Sequence, residues 1–127
     1  MLPAVHLDTS FLVRALQEGS PESARMLQWL ESGRPVAMST VAWTEFLCGP
    51  VTGDECAAVL RVIEEPLPLL ARHGELAARL FNRTGRRRGT LADCLIAAVA
   101  IDAKAPIATA DHGFARFADE GLVNSAT

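Results

Sequence analysis

The stretch of residues 91–101 constrains the fold of this chain more than any other, because its pattern is helical and apolar on nearly every side. Asp93 is its only charged residue, and a helix that is apolar all round has to be buried. Thr90 precedes the stretch as a suitable N-cap residue. Pro106 lies beyond the end of the stretch, immediately before a short apolar run at residues 107–109. A buried helix that leads into a buried strand predicts an α/β domain built on a parallel sheet.

Strand-like and helix-like segments alternate along the rest of the chain, which extends this prediction to the whole sequence. The patterns predict strands at residues 4–7, 35–39, 66–70, 107–109 and 122–123. They predict helices at residues 9–16, 21–31, 40–47, 53–65, 71–83, 90–101 and 114–118. We therefore expect a single domain over residues 1–127, folded as a three-layer α/β/α sandwich with a central, mostly parallel sheet of four to five strands.

The composition restricts the surroundings and partners of the protein. Half of its 127 residues are apolar and 21% are charged, which is typical of a compact soluble domain. The net charge of −3 means that any nucleic-acid site must be local. Three cysteines without a C-x-x-C pair favour reduced thiols in a cytoplasmic protein over a zinc site. The apolar run after Asp93 stops at Asp102, which is too short for a membrane span.

Four acidic residues are predicted to lie at one edge of the sheet. Asp8 and Asp111 each follow a strand, Asp93 lies in the first turn of the buried helix, and Glu45 lies on the helix after the second strand. The carboxyl edge of a parallel sheet is where sites are built. Clustered carboxylates repel one another unless cations neutralise them. Mg²⁺ or Mn²⁺ bound by oxygen ligands would do so, and such ions suit phosphodiester chemistry.

Each acid also has a simpler explanation, which the sequence leaves open. Asp8 and Asp111 stand where an N-cap residue is favoured. Residues 90–93 have the form of a capping box, in which Thr90 and Asp93 would serve the helix alone. Glu45 could be an ordinary surface residue on its helix.

Four short motifs around these acids occur in order along the whole chain. They read Leu7-Asp8-Thr9-Ser10, Thr44-Glu45-Phe46, Ala92-Asp93-Cys94-Leu95-Ile96-Ala97, and Thr109-Ala110-Asp111 followed by Phe114. Together they resemble the PIN-domain ribonucleases, and most closely the small VapC toxins of bacterial type II toxin–antitoxin pairs. The resemblance implies endonucleolytic cleavage of RNA that depends on one or two Mg²⁺ or Mn²⁺ ions. It also implies that the catalytic, metal-binding residues are Asp8, Glu45, Asp93 and Asp111.

The resemblance implies further roles and partners. Thr9 or Ser10, and Thr109, would supply hydroxyl groups that orient carboxylates or metal-bound water. The protein would form homodimers and would be inhibited by a small antitoxin whose C-terminal segment lies across the active-site groove. One departure is Ala110, because relatives often carry arginine at this position. The departure removes a basic contact from the site and leaves the acids unaffected.

RNA has to approach an acidic site, so basic side chains are expected around it. The best candidates precede the buried helix, and arginine is well suited to binding phosphate: Arg83, Arg86, Arg87 and Arg88. A solvated loop is the alternative interpretation of this cluster. Arg14 and Arg116 are weaker candidates.

Two other functions remain open from the sequence. The domain could bind RNA or a protein partner without catalysis. Alternatively, Asp8 could accept a phosphoryl group, but such sites usually have a lysine nearby. The only lysine, Lys104, lies at the far end of the buried helix.

Overall fold

A parallel sheet forms the centre of the computed structural model, which describes residues 2–125. Strand β1 (Val5–Leu7) lies between β2 (Val36–Ala37) and β3 (Ile107–Ala108), and both neighbours run parallel to it. Val5 and Leu7 in β1 are fully buried. The predicted α/β fold with a parallel sheet is therefore confirmed.

The helices follow the predicted order along the chain. Their bounds are α1 (Thr9–Ala15), α2 (Pro21–Ser32), α3 (Thr40–Leu47), α4 (Gly53–Ile63), α5 (Ala71–Arg83), α6 (Leu91–Asp102) and a 3₁₀ helix (His112–Glu120). The connection from β1 to β2 runs in one direction across the sheet, and that from β2 to β3 runs back past β1. The chain continues outward from β2 to Leu67, which bridges Ser39, before it returns to β3. Because such crossovers are right-handed, α1 to α4 lie on one face of the sheet and α5 and α6, which precede β3, lie on the other.

The sheet has three strands in the described part of the chain, whereas four to five were expected. The segments at residues 66–70 and 122–123 were predicted as outer strands, but each side of the sheet gains only one single-residue bridge. These bridges join Ser39 to Leu67 and Ile107 to Asn124, both in parallel orientation. Pro66 and Pro68 flank Leu67 and have no N–H group to donate, so this segment cannot extend into a regular strand.

Helix α6 is the buried helix that the sequence predicted. It packs along α5, and its buried side chains are mostly small, which lets neighbouring backbone come close: Cys94, Ile96, Ala97, Ala98, Val99 and Ala100. Burying Ile96 alone stabilises the fold by about 1.5–3 kcal/mol. The first turn of this rigid element carries Asp93.

The opposite end of α6 is fixed to the start of α5 by polar contacts. The Asp102 carboxylate accepts hydrogen bonds from Arg72 Nε (2.9 Å) and His73 Nε2 (3.0 Å). His73 Nδ1 accepts a hydrogen bond from the Leu70 N–H, so Nε2 is the nitrogen that carries the proton. The hydrogen bonds from Arg72 and His73 hold the pKa of Asp102 below its ordinary value. The Asp102 carboxylate is thus engaged by Arg72 and His73 at the end of α6 opposite to Asp93.

Within residues 2–125, none of the helices has the length and apolar character needed to cross a membrane.

Candidate active site

Asp8 lies between the carboxyl ends of β1 and β3 and is held there by several donors. Its side chain is only 3% exposed. It accepts hydrogen bonds from the Phe11 N–H (2.9 Å), the Ser10 hydroxyl (2.8 Å) and the Thr109 hydroxyl (2.6 Å). The Phe11 bond makes Asp8 the N-cap of α1, as its simpler explanation required. Thr109 follows β3, so the same carboxylate also joins two strands at the point where the strand order reverses, which is a common ligand site in α/β folds.

Glu45 is linked to the same region through Thr9. The Thr9 hydroxyl lies 2.9 Å from the Ala42 carbonyl oxygen and 3.4 Å from Glu45 Oε1. These contacts join the start of α1 to α3. The Glu45 residue is exposed, so its carboxylate remains open to solvent.

Asp93 is not used as part of a capping box. Thr90 occupies the N-cap position of α6 without a side-chain cap, and its hydroxyl donates instead to the Arg87 carbonyl oxygen (2.7 Å). The capping-box explanation of residues 90–93 is therefore wrong. The capping box does not form because the backbone of Thr90 has a ψ of 3°, which departs from the extended conformation of an N-cap residue. The Asp93 carboxylate is partly buried and faces Arg116, whose Nη2 lies 3.5 Å from Asp93 Oδ2.

Asp111 is the N-cap of the 3₁₀ helix and is exposed. Its Oδ1 accepts a hydrogen bond from the Gly113 N–H (2.8 Å), and its own N–H donates to the Thr109 hydroxyl (2.9 Å). The neighbouring Ala110 N–H donates to the Ser10 hydroxyl (3.1 Å). Ser10 and Thr109 thus connect the backbone around Asp111 to the carboxylate of Asp8.

The four carboxylates influence one another electrostatically. Burial raises the pKa of Asp8, and the negative charge of Asp111 raises it further against the hydrogen bonds that lower it. Burial and then the charges of Asp93 and Asp8 raise the pKa of Glu45. Burial also raises the pKa of Asp93, where Arg116 opposes the rise and Asp111 adds to it. All four predicted acids therefore share one region of negative potential.

The donor chemistry of this region fits a hard divalent cation. Carboxylate oxygens are the ligands that Mg²⁺ and Mn²⁺ prefer, and a cation would offset both the burial of these charges and the repulsion between them. In the described chain, however, no three His, Cys, Asp or Glu side chains are already grouped closely enough to hold a metal ion. The four acids form a coupled but open cluster rather than a ready-made coordination cage.

A comparison of the sequence with models of known protein families identifies the family of this chain. The sequence matches the family described as "PIN domain" over residues 5–120. The chain belongs to the PIN-domain family. The resemblance noted in the four sequence motifs is thereby confirmed, and the sheet edge with the four acids lies within the matched region of the PIN domain.

Solved structures support the PIN fold over nearly the whole chain. A chain of VapBC2 from Rickettsia felis, crystallised with a DNA fragment from its promoter, gives a TM-score of 0.75 at 20% identity over 96% of this chain and 97% of that one. FitAcB from Neisseria gonorrhoeae gives 0.68 at 22% identity over 96% and 97%. VapBC-5 from Mycobacterium tuberculosis, a member of the VapBC family of toxin–antitoxin systems, gives 0.61 at 27% identity over 96% and 98%. A comparison of the sequence with curated proteins gives no match.

The arginine cluster of this PIN domain divides into two parts. Arg83 is bound by Glu120, with 2.8 Å between Nη1 and Oε2, and is thus partly committed. Arg86, Arg87 and Arg88 are exposed, and their side chains have no partner among residues 2–125. Of the four predicted RNA contacts, these three remain available to a ligand.

Arg116 is the residue that the sequence analysis undervalued. It lies 4.2 Å over the ring of Phe117, donates a hydrogen bond from Nη1 to the Gly113 carbonyl oxygen and points Nη2 at Asp93. Its position five residues after Asp111, in the segment that this acid caps, is the sequence signal that could have identified it.

A groove borders the acid cluster on the side of β3. It has a volume of about 360 Å³, and its lining includes Thr109, Asp111, Arg14 and His112. A second groove of about 840 Å³ lies along β2 on the other side of the sheet, and its lining includes Pro35, Val36, Ala37 and Thr40. The smaller groove has room for part of a substrate next to Asp111.

Replacing Glu45 with glutamine is expected to stabilise the metal-free PIN domain at pH 7 by a few tenths to about 1 kcal/mol, because it removes one of the repelling charges. A raised pKa means that the ionised carboxylate is disfavoured in the folded state. Below the ordinary pKa of 4.5, Glu45 is protonated and the folded protein has its full stability. Part of that stability is lost as the pH rises through the raised pKa of Glu45 in the folded protein. The gain of Glu45→Gln should therefore disappear near pH 4.

Urea unfolding in EDTA at low salt, at pH 4 and pH 7, measures this effect. Glu18→Gln, an equivalent change at an exposed residue outside the cluster, is the control. A Glu45→Gln protein that is less stable than the wild type at pH 7 would show that the carboxylates do not repel one another.

Proposed function

We propose that this PIN domain is a metal-dependent endoribonuclease that acts as the toxin of a toxin–antitoxin pair. The observation that supports this function best is the coupled cluster of carboxylates at the sheet edge between β1 and β3. The residues proposed to bind one or two Mg²⁺ or Mn²⁺ ions, and to be catalytic, are Asp8, Glu45, Asp93 and Asp111.

Hydroxyl groups and backbone contacts position these acids. Ser10 and Thr109 fix both oxygens of Asp8, and Thr9 contacts Glu45, so rotation of two carboxylates is restricted before any ligand arrives. Such orientation by neighbouring groups commonly strengthens metal binding. When bound, a divalent cation supplies Lewis acidity and a water molecule of lowered pKa. No side chain of the protein is then needed as a nucleophile.

The RNA is proposed to approach over the arginines that precede α6. Arg86, Arg87 and Arg88 are exposed and precede the helix that carries Asp93 in its first turn. Their guanidinium groups would bind phosphates and offset the negative potential of the acid cluster. Arg83 would contribute only after leaving Glu120.

The partners and setting are also proposals. The likeness to VapBC-5, which is named as a member of a toxin–antitoxin family, supports a small antitoxin as the cognate partner. A homodimer, a cytoplasmic location and a single domain over residues 1–127 remain predictions from the sequence.

Two alternative functions can be weighed against the structure. A non-catalytic RNA- or partner-binding module is favoured by the lack of a ready-made metal cage in the described chain. Phosphoryl transfer through Asp8 is disfavoured because the only lysine is far from the acids. Lys104 follows the C-terminal end of α6, whereas Asp93 lies in the first turn of this helix. A helix of this length separates its two ends by about 16 Å.

Incubation of a single-stranded RNA with the protein and Mg²⁺ tests the proposed function. We expect internal cleavage, and we expect it to persist when the cleaved nucleotide lacks its 2′-hydroxyl, because an external water molecule is the proposed nucleophile. Gel separation of labelled substrates measures both results. Intact RNA would favour the non-catalytic module, and cleavage that requires the 2′-hydroxyl would contradict the proposed chemistry.

A further inference from the structure

The guanidinium group of Arg116 lies inside the acid cluster rather than at the protein surface. Nη2 is 3.5 Å from Asp93 Oδ2, Nη1 donates to the Gly113 carbonyl oxygen, and the group lies 4.2 Å from the centre of the Phe117 ring. The Arg116 side chain is only 15% exposed. A cation in this position partly neutralises the acids without any metal.

The residue at position 113 makes room for this arrangement. A Cβ atom at Gly113 would lie 2.9 Å from Arg116 Nη1 and 3.0 Å from Asp111 Oδ1, both closer than ordinary contacts. The backbone of Gly113 has no positive φ that would otherwise require glycine. The absence of a side chain at Gly113 therefore leaves room for both the guanidinium group of Arg116 and the carboxylate of Asp111.

The contacts of Arg116 are nevertheless incomplete. Its Nε atom is buried and has no hydrogen-bond partner, and a buried donor without a partner is costly. The distance of 3.5 Å to Asp93 is also long for a charge-assisted hydrogen bond. The hydrogen bond to Gly113 and the stacking on Phe117 hold the side chain nearby, but its link to Asp93 is one long ion pair, which another cation can replace.

We propose that Arg116 is a resident counter-ion of the acid site, which holds Asp93 in the metal-free protein and is displaced when a divalent cation binds. The inference rests on the metal site of the proposed function and adds a competitor to it. Arg116 and the metal would alternate as the neutralising charge beside Asp93. The arrangement would keep the metal-free site folded and would weaken metal binding.

The simpler interpretation is that Arg116 makes a structural ion pair that positions Asp93 for the metal. The two interpretations predict opposite effects of removing the charge. A positioning residue would lose metal affinity on substitution, whereas a competitor would increase it.

Calorimetric titration of Mn²⁺ into Arg116→Gln and wild-type protein separates these interpretations. We expect Arg116→Gln to bind Mn²⁺ about fivefold more tightly, as the loss of a competing, partly exposed ion pair would give. Arg61→Gln, at an exposed residue near the end of α4, removes the same charge outside the site and should leave the affinity unchanged. Equal or weaker binding by Arg116→Gln would overturn the inference.

A second measurement follows Arg116 directly in the wild-type protein. In ¹⁵N-labelled wild-type protein, the Arg116 Nε–H is expected to exchange slowly with water, because it is buried. Addition of Mg²⁺ should accelerate this exchange, with the signal assigned by its loss in Arg116→Gln. An Nε–H that stays protected at saturating Mg²⁺ would show that the side chain is not displaced.

The outcomes distinguish this inference from the proposed function. Tighter Mn²⁺ binding by Arg116→Gln in a protein that does not cleave RNA would support the counter-ion and refute the nuclease. Metal-dependent cleavage with unchanged Mn²⁺ affinity would refute the counter-ion alone. Absence of Mn²⁺ binding in both proteins would refute the counter-ion together with the metal site.

Discussion

Replacement of Asp93 with asparagine is expected to lower kcat/KM for RNA cleavage by about 10³-fold, which corresponds to about 4 kcal/mol of lost transition-state stabilisation. The substitution keeps the size of the side chain but removes a charged oxygen ligand from the proposed metal site. The fold should survive, because the helix that carries Asp93 is held by its buried apolar side chains. Loss of a repelling charge and loss of the ion pair with Arg116 oppose each other, so the stability of the metal-free protein should change little.

Cleavage rates and urea unfolding of Asp93→Asn measure both parts of this expectation. Asp54→Asn is the matched control, since Asp54 is exposed in the first turn of α4 and belongs to no proposed site. The control should retain the wild-type rate. Full activity of Asp93→Asn would exclude this carboxylate from catalysis, whereas an unfolded variant would move the test to Glu45→Gln.

Removal of divalent cations with EDTA is expected to abolish cleavage, and addition of Mg²⁺ or Mn²⁺ should restore it. The Ser10 and Thr109 hydroxyls beside the acids are hydrogen-bonded to Asp8, and the proposed nucleophile is an external water molecule. A bound divalent ion supplies several kcal/mol of charge stabilisation and the activated water. The loss should therefore be as large as that of Asp93→Asn.

Circular dichroism in EDTA provides the control for this experiment. The protein should remain folded without metal, because the core is apolar and Arg116 already offsets part of the negative charge. Readdition of Mg²⁺ should then restore the full rate without a refolding step. Cleavage that continues in EDTA would contradict metal-dependent catalysis.

The features that were predictable from the sequence depend on strong local patterns. The apolar surface of α6 required burial, and Pro106 marked the start of β3, so the position of Asp93 relative to the sheet followed from hydrophobicity alone. Asp8 and Asp111 follow β1 and β3 directly. Glu45 was predicted at the same edge from its place on the helix after β2, with a surface role left open, and the family resemblance supported its inclusion.

The features that were missed depend on geometry that periodicity does not contain. The outer strands were overestimated because apolar character at residues 66–70 does not reveal that Leu67 makes only one bridge. Arg116 was undervalued because its direction depends on the 3₁₀ helix and on the space beside Gly113. The capping box at residues 90–93 failed because the backbone of Thr90 turns its hydroxyl towards Arg87.

The most direct test of the central claim is the rate of RNA cleavage as a function of Mg²⁺ concentration, measured in parallel for the wild type and Asp93→Asn. The carboxylates are proposed to act through a bound cation, so the wild-type rate should rise from zero and saturate. The Asp93→Asn rate should stay near zero over the same range. A wild-type rate that does not depend on Mg²⁺, or two curves that coincide, would contradict a metal-dependent nuclease built on these four acids.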